Sequence, residues 1–358
     1  MRERPVAGVD YPGKLVDLRA WFPNDAACLD YLDWLRWPDG FVCPHCGATT
    51  SWVLPDGRRS CGGCRRRVSA TAGTIFHRTR TPLTVWFEAA WLMTTQKQGA
   101  SALGLQRVLG IGSYQTAWSI LHRLRTAMVV SGRQALRGEV EVDETHIGGP
   151  RKGKRGRGAE GKTLVAVAVE RAPEGKRGFG RTRLGVIADA SADSLRKFIV
   201  ANVEPGATVV TDALSSYPNA LGTEYEHLAI SVVQSGGEAH EVLPAVHRVA
   251  SLLKRWLEGT HHGGVAPDHL PAYLDEFSFR FNRRRSRQPG LLFFRLLEQA
   301  VTTPSITYRE MVAVPTPKET APDAPTGPRS RTRTLASPSL DRPWRIRPGP
   351  QGVLHSDG

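Results

Sequence analysis

The sequence predicts a multidomain chain of mixed α+β and α/β class, and three observations predict it. Two Cys-x-x-Cys pairs lie near the N-terminus, residues 81 to 132 have apolar positions at helical spacing, and from 138 onward short β-rich runs are broken by a helical one. The expected division is a helical lead-in and metal-bound ribbon over 14–80, a helical segment over 81–132, an α/β domain over 138–300 and a tail over 313–358. That tail is rich in Pro, Arg, Ser and Thr, cannot build a core, and is expected to be disordered and basic.

Composition narrows the function. A hydrophobic share of 40% over 358 residues supports a sizeable core. Lys and Arg number 48 against 34 Asp and Glu, a formal charge of +14, and the pI is near 10.0. A chain this basic meets a polyanion, and nucleic acid is the commonest one; a ribosomal or membrane-surface protein is the rival reading. No apolar run approaches the ~20 residues of a membrane span. Behind Met1-Arg2-Glu3-Arg4-Pro5 no hydrophobic segment resembles a secretion signal. The expected place is the cytoplasm, on the nucleoid, where thiols stay reduced and cysteines serve as metal ligands rather than disulfides.

The lead-in carries Leu15, Leu18, Trp21, Phe22, Leu29, Leu32 and Leu35, read as one or two short helices with Asn24 or Asp25 as cap. Pro38-Asp39-Gly40 turns the chain into Cys43-Pro44-His45-Cys46 and Cys61-Gly62-Gly63-Cys64. Each pair forms a knuckle aiming two thiolates at one point, and two knuckles complete the tetrahedral shell of a structural Zn²⁺. Four thiolates leave no open position for water, so the zinc is not catalytic. Cys28 lies outside the pattern and is expected to be an ordinary buried residue, His45 to face solvent, and Arg65, Arg66 and Arg67 to offer a surface to DNA.

In the next segment, Gly99 to Gly110 reads as a first helix and its turn, Gly110-Ile111-Gly112-Ser113 as the turn between two helices, and Ser113 as the cap of a second helix running to Arg125. This is the outline of a helix-turn-helix, with Tyr114, Gln115, Ser119, Arg123 and Arg125 expected on the outer surface of the recognition helix. A plain helical hairpin is the competing reading.

Strands are expected at Glu139–Val142, Thr163–Val169, Arg183–Ile187 and Thr208–Thr211, with a helix at Ser194–Val200 before the last. Three strands, a helix and a fourth strand is the order of an RNase H-like domain. A glycine-rich basic stretch, 148 to 162, reads as a mobile hairpin between the first two strands. Alternation sends Glu139, Glu141 and Asp143 to one face, and Asp212 ends the fourth strand. Carboxylates at the ends of adjacent strands are what hard divalent cations require in phosphoryl-transfer sites. A third ligand is expected from a helix beside the sheet. His247 follows Asp212, and Lys254 lies seven residues on, on the same helical face, positioned to hold a DNA phosphate. Glu141 and Glu144 are read as supporting or solvated carboxylates.

These segments resemble a known family. Val142-Asp143-Glu144-Thr145-His146-Ile147-Gly148-Gly149 is similar to the first catalytic strand of bacterial insertion-sequence transposases with an N-terminal zinc ribbon. Thr211-Asp212-Ala213-Leu214-Ser215-Ser216-Tyr217 resembles their second segment, and Leu253-Lys254-Arg255-Trp256, Gly259-Thr260-His261-His262 and Tyr273 to Arg284 resemble their C-terminal signature. This is the ISXO-type branch of the DDE transposases. The resemblance covers residues 15 to 300 and implies an RNase H-like domain, Mg²⁺ dependence and cut-and-join chemistry on terminal inverted repeats. The third position in DDE enzymes is Glu, or Asn in some branches, whereas this sequence offers His247. Imidazole is a softer partner that suits Mn²⁺ better than Mg²⁺. The alternatives are Glu241 or Glu238 as third ligand, or an inactive relic.

The expected reaction is in-line attack on a phosphodiester of double-stranded DNA, at the inverted repeats and then at target DNA. Asp143, Asp212 and His247 would hold Mg²⁺ or Mn²⁺ and Lys254 would carry transition-state charge. A homodimer or larger assembly is expected, because transposition joins two DNA ends. A zinc-ribbon regulator derived from an inactivated transposase, or a nuclease that cuts without joining, are the rival functions.

Overall fold

The computed structural model describes residues 4–129, 132–148, 162–172, 178–231 and 242–313. Most of the expected hairpin at 148–162, the tail beyond Ala313, and the alternative ligands Glu238 and Glu241 lie outside the described residues. The chain divides into two compact units, one of residues 1–95 and 287–358, the other of residues 96–286.

The first unit opens with α1 (Leu15–Trp21) and α2 (Asp25–Arg36). Asn24 caps α2 by accepting the Ala27 N–H at 3.0 Å. A three-stranded antiparallel ribbon follows, β1 (Ser51–Val53), β2 (Arg59–Cys61) and β3 (Arg67–Val68). Its own core is small: Phe41, Cys43, Cys61 and Val68. The ribbon is tied to α2 by Arg59, whose Nε donates to Asp33 at 2.7 Å. Arg36 donates to the carbonyls of Ser69, Ala70 and Ala72.

Next comes α3 (Leu83–Thr95), which buries Trp86, Phe87, Ala89, Ala90, Trp91 and Met93. A helix this apolar must be covered. It is covered by α10 (Pro289–Ala300), whose Phe293 ring lies 5.8 Å from Phe87 and 5.6 Å from Trp91. A Cβ at Gly290 would fall 1.9 Å from the Pro12 carbonyl oxygen, so only glycine lets α10 approach that closely. A short α11 (Tyr308–Val312), with a Thr307–Glu310 capping box, completes the described part. The expected boundaries at 81 and 300 therefore differ from the observed division. The sequence reading attached α3 to the helix pair after it and α10 to the catalytic domain, but each needs the other's aromatic face.

The second unit begins with α4 (Ala102–Leu109), capped by Ser101 and closed by Gly110 in the left-handed conformation, and α5 (Tyr114–Thr126), capped by Ser113. A five-stranded sheet follows: β4 (Glu139–Ile147), β5 (Thr163–Arg171), β6 (Phe179–Val186), β7 (Thr208–Thr211) and β8 (Glu226–Ala229). Its order is β6-β5-β4-β7-β8. The first three strands are antiparallel neighbours, and β7 and β8 run parallel to β4. Between β6 and β7 lies α6 (Ala192–Asn202), and α7 (Tyr217–Leu221) precedes β8. The anticipated order of three strands, helix and fourth strand is present; β8 and α7 extend it.

Residue alternation sorts the sheet's two faces. Val140, Val142, Ala166, Ala168 and Val209 pack with α6 and Tyr217. Val165, Val167, Val169 and Val210 pack instead with α8 (Pro244–His261) and α9 (Leu270–Asn282). Among the described residues, no helix is long and apolar enough to cross a membrane.

Candidate active site

Strand pairing carries two of the expected acids to the same end of neighbouring strands. β4 and β7 are parallel with Glu139 opposite Thr208, Val140 opposite Val209 and Glu141 opposite Val210. Continued by two residues, this register brings Asp143 level with Asp212. Both acids lie two residues beyond a side chain aimed at α8, Glu141 and Val210, so both face that helix. His247 lies in the first turn of α8, with Nε2 3.8 Å from Asp143 Oδ2.

Local hydrogen bonds fix the acids. Asp143 Oδ1 accepts the Glu144 N–H at 2.7 Å. Asp212 Oδ1 accepts the Leu214 N–H at 3.2 Å, an Asx turn. Between them Ala213 has φ +63°. A left-handed alanine costs roughly 1 kcal/mol, and such strain clusters at functional sites.

Glu144 points to the opposite face, where it accepts the Tyr217 hydroxyl at 2.7 Å. Burial, and then the Glu144 charge with those of Asp143 and Asp212, push the Tyr217 phenol well above its usual value. Tyr217 therefore stays protonated and remains a donor. Lys254 is exposed; burial of its stem, and then the Lys162 charge, lower its pKa, while Glu258 and Asp143 work the other way. It lines a cavity of 670 Å³ with His146, Lys162, Glu258 and His262, at the end of β4 beyond Asp143. The cavity is large enough for a segment of substrate and carries both hydrogen-bonding and cationic groups.

The sequence left the role of Glu141 open, and the structure gives it one. It is 1% exposed. One carboxylate oxygen accepts the N–H groups of Ala245 at 2.8 Å and Val246 at 3.1 Å, and the other accepts from Arg171 Nε at 2.9 Å. The N-cap residue of α8 is Leu243, which has no side-chain acceptor. Glu141 thus supplies from a neighbouring strand the anion that the helix N-terminus requires. It ties the strand of Asp143 to the helix turn that carries His247.

The cysteines gather as expected. Their four Sγ atoms lie within 4.8 Å of one another, with 3.7 Å between Cys43 and Cys64 and 3.5 Å between Cys46 and Cys61. A tetrahedron with Zn–S bonds of about 2.3 Å has edges near ~3.8 Å, so the donor set fits zinc. The Cys64 N–H donating to Cys61 Sγ pulls that thiol down to about 6, making a thiolate available at neutral pH. A Cβ at Gly63 would lie 2.9 Å from the Ala48 side chain and 3.4 Å from Cys46 Sγ, so the second knuckle needs its glycine. Cys28 is fully buried apart from this cluster. His45 is exposed against Arg66.

Among the described residues, the four cysteines are the sole set of three or more such ligand atoms within that distance. Asp143, Asp212 and His247 do not converge as tightly. Their donor types, two carboxylates and one imidazole, fit a divalent cation such as Mg²⁺ or Mn²⁺, which these three residues would hold.

On α5, Tyr114 and Gln115 are exposed and Ser119 and Arg123 half-buried. Arg125 is not on the outer surface. It is 1% exposed, with Nε 2.8 Å from Glu276 and its guanidinium 4.0 Å from the Tyr273 ring centre. The reason is helical phase: Arg125 lies one turn beyond the buried Leu121. Arg280, within the segment that resembles the family's C-terminal signature, is bonded to the carbonyls of Gln96 and Lys97. His261 is half-buried against Trp256 and Tyr273, and burial lowers its pKa to about 3.

Comparison with known proteins agrees with this arrangement. Residues 135–282 match the ISXO2-like transposase domain, which implies an RNase H-like fold. Residues 23–67 match the transposase zinc-ribbon domain. An uncharacterized protein in transposable element ISH50 of Halobacterium salinarum is 29% identical over 300 residues, covering 75% of this chain and 94% of that protein.

Proposed function

We propose, from the premise that this chain belongs to the insertion-sequence transposases whose zinc-ribbon and ISXO2-like domains it carries, that it cuts DNA at the element's terminal inverted repeats and joins the freed ends to target DNA. The observation that carries this reading is the β4–β7 register, which sets Asp143 level with Asp212 on the face where His247 approaches. Asp143, Asp212 and His247 are assigned as ligands of Mg²⁺ or Mn²⁺. When bound, such an ion lowers the pKa of an attacking hydroxyl and neutralises charge on the phosphate.

The chain's own residues do the rest. Asp143 is held in place by the Glu144 N–H, and Asp212 by the turn at Ala213. Lys254, on the wall of the adjoining cavity, offers a cation to the phosphate. Tyr217 donates to Glu144 and keeps that carboxylate turned away from the α8 face. The α4–α5 pair is assigned as a helix-turn-helix, with Tyr114 and Gln115 toward DNA, and the zinc ribbon as a second DNA-binding element. Action on two DNA ends calls for a homodimer or larger assembly, working in the cytoplasm on the nucleoid.

The test is cleavage and joining of DNA carrying the ends that flank the gene, with Mg²⁺ and Mn²⁺ tried separately. Asp143→Ala and Asp212→Ala should each reduce cleavage by about 10³-fold or more while sparing DNA binding, given how much charge stabilisation the metal supplies. Retained cleavage in either variant overturns the assignment. Tight binding with no cleavage in either metal would favour a regulator derived from a transposase. Cleavage that never yields joined product would favour a nuclease.

A further inference from the structure

At the β6 edge of the sheet, separated from β4 by β5, a second cavity of 340 Å³ opens between β6, α9 and the chain following α5. Arg133, Arg181, Arg183 and Arg283 all line it, and Asp275 is the one acid among its lining residues. Arg181 is matched by Glu170, with Nε 3.0 Å from Oε2. Arg183 is 5% exposed, and its guanidinium donates to the carbonyl oxygens of Thr182 at 3.0 Å and Gln134 at 2.7 Å. Among the described residues, no carboxylate lies within ion-pair distance of it.

The hydrogen bonds to carbonyls explain how Arg181 and Arg183 fasten residues 134 and 135 to β6. They do not explain why four guanidinium groups converge on one opening. Burial, and then the charges of Arg133 and Arg181, lower the Arg183 pKa to about 10. Burial also raises Asp275 to about 6, so it is still largely ionised at neutral pH, but it and Glu170 together offset only two of the four guanidinium charges. The cavity is therefore a concave surface with surplus positive charge. It also holds the amide of Asn282 and the hydroxyl of Ser278. The planar fork of arginine matches the oxygens of a phosphate, and the volume is at the small end of the ~300–1,000 Å³ range of ligand sites.

We propose that this arginine-lined cavity at the β6 edge is a phosphate site, and that the phosphate it grips belongs to a DNA backbone, held apart from the reacting carboxylates. That identity of the ligand rests on the transposase reading; the cavity's charge does not. The contact adds affinity without reading sequence, because phosphates are alike along the duplex.

The experiment measures affinity of the full chain for a duplex carrying the element's end, over a series of KCl concentrations. Arg133→Gln/Arg283→Gln is compared with Lys197→Gln, which removes an exposed charge on α6 paired with Asp193. The double variant should weaken binding about tenfold and reduce the slope of log affinity against log salt by about 1 to 2, while Lys197→Gln leaves both in place. Arg133 is exposed, so Arg133→Gln alone, expected to remove about 1 from the slope, serves if the double variant melts early. Unchanged slopes in both variants overturn the proposal. If inorganic phosphate raises the melting temperature of the unmodified chain alone and DNA affinity is unmoved, the cavity takes a free anion and the DNA reading is overturned. Asp143→Ala, which tests the transposase reading, is expected to bind this DNA normally, so the two failures are distinguishable.

Discussion

Glu141 shows what a single side chain does here. Its carboxylate is buried, ion-paired to Arg171, and accepts the N–H groups of Ala245 and Val246 in the first turn of α8. Glu141→Ala removes a buried acceptor and leaves helix donors unsatisfied, so it should cost about 3 kcal/mol in urea unfolding. Glu141→Gln keeps an oxygen for the helix and should cost about 1 kcal/mol. Since α8 also carries His247, the Ala variant should lose turnover beyond what instability explains, with Gln recovering part of it. Equal behaviour of the two variants would deny the positioning role. The cysteine cluster was legible because its meaning lies in short spacing, and the placement of the two aspartates on neighbouring strands because each follows an apolar strand run. Glu141 was not, because its partners lie 104 and 105 positions away. Arg125 was misread because a charged residue suggests a surface, whereas its helical phase buries it against Glu276.

Among elements, those with strong periodicity were legible: α2, α5, α6 and the four predicted strands all form. β8 was missed because Glu226-His227-Leu228-Ala229 has little apolar alternation, and α7 because it is a single short turn. The zinc ribbon carries the clearest energetic consequence at this scale. Four core residues cannot stabilise a three-stranded ribbon, so folding is expected to depend on the metal. Stripping zinc with a strong chelator, or Cys61→Ser, should shift the emission of Trp37 and Trp52 toward that of exposed indole. The unfolding transition of residues 96–286 should persist. Emission unchanged after verified zinc removal would deny the metal a structural role.

For the molecule as a whole, two histidines shielded from solvent to different degrees, the buried His122 and the half-buried His261, set an acid limit. Burial lowers His122 to about 2 and His261 to about 3, so both are neutral in the fold. In the unfolded chain they take up protons near the ordinary value of ~6.5. Folded pKa values below unfolded ones mean that this contribution is complete above that pH and is lost progressively as pH falls toward 3. The urea midpoint of the second unit should therefore drop between pH 7 and pH 4, and less steeply in His122→Gln. A flat profile would contradict the neutral assignment. One further consequence follows from α10, whose Phe293 and Phe294 close the core begun by α2 and α3. The second unit is an insertion within the first, so the ribosome delivers it entire before the first can finish. A chain cut short after Ser286 would keep the sheet and its acids but leave Phe22, Phe87 and Trp91 without their cover. A stop codon placed just after Ser286 would then yield an intact second unit attached to a partly unfolded first.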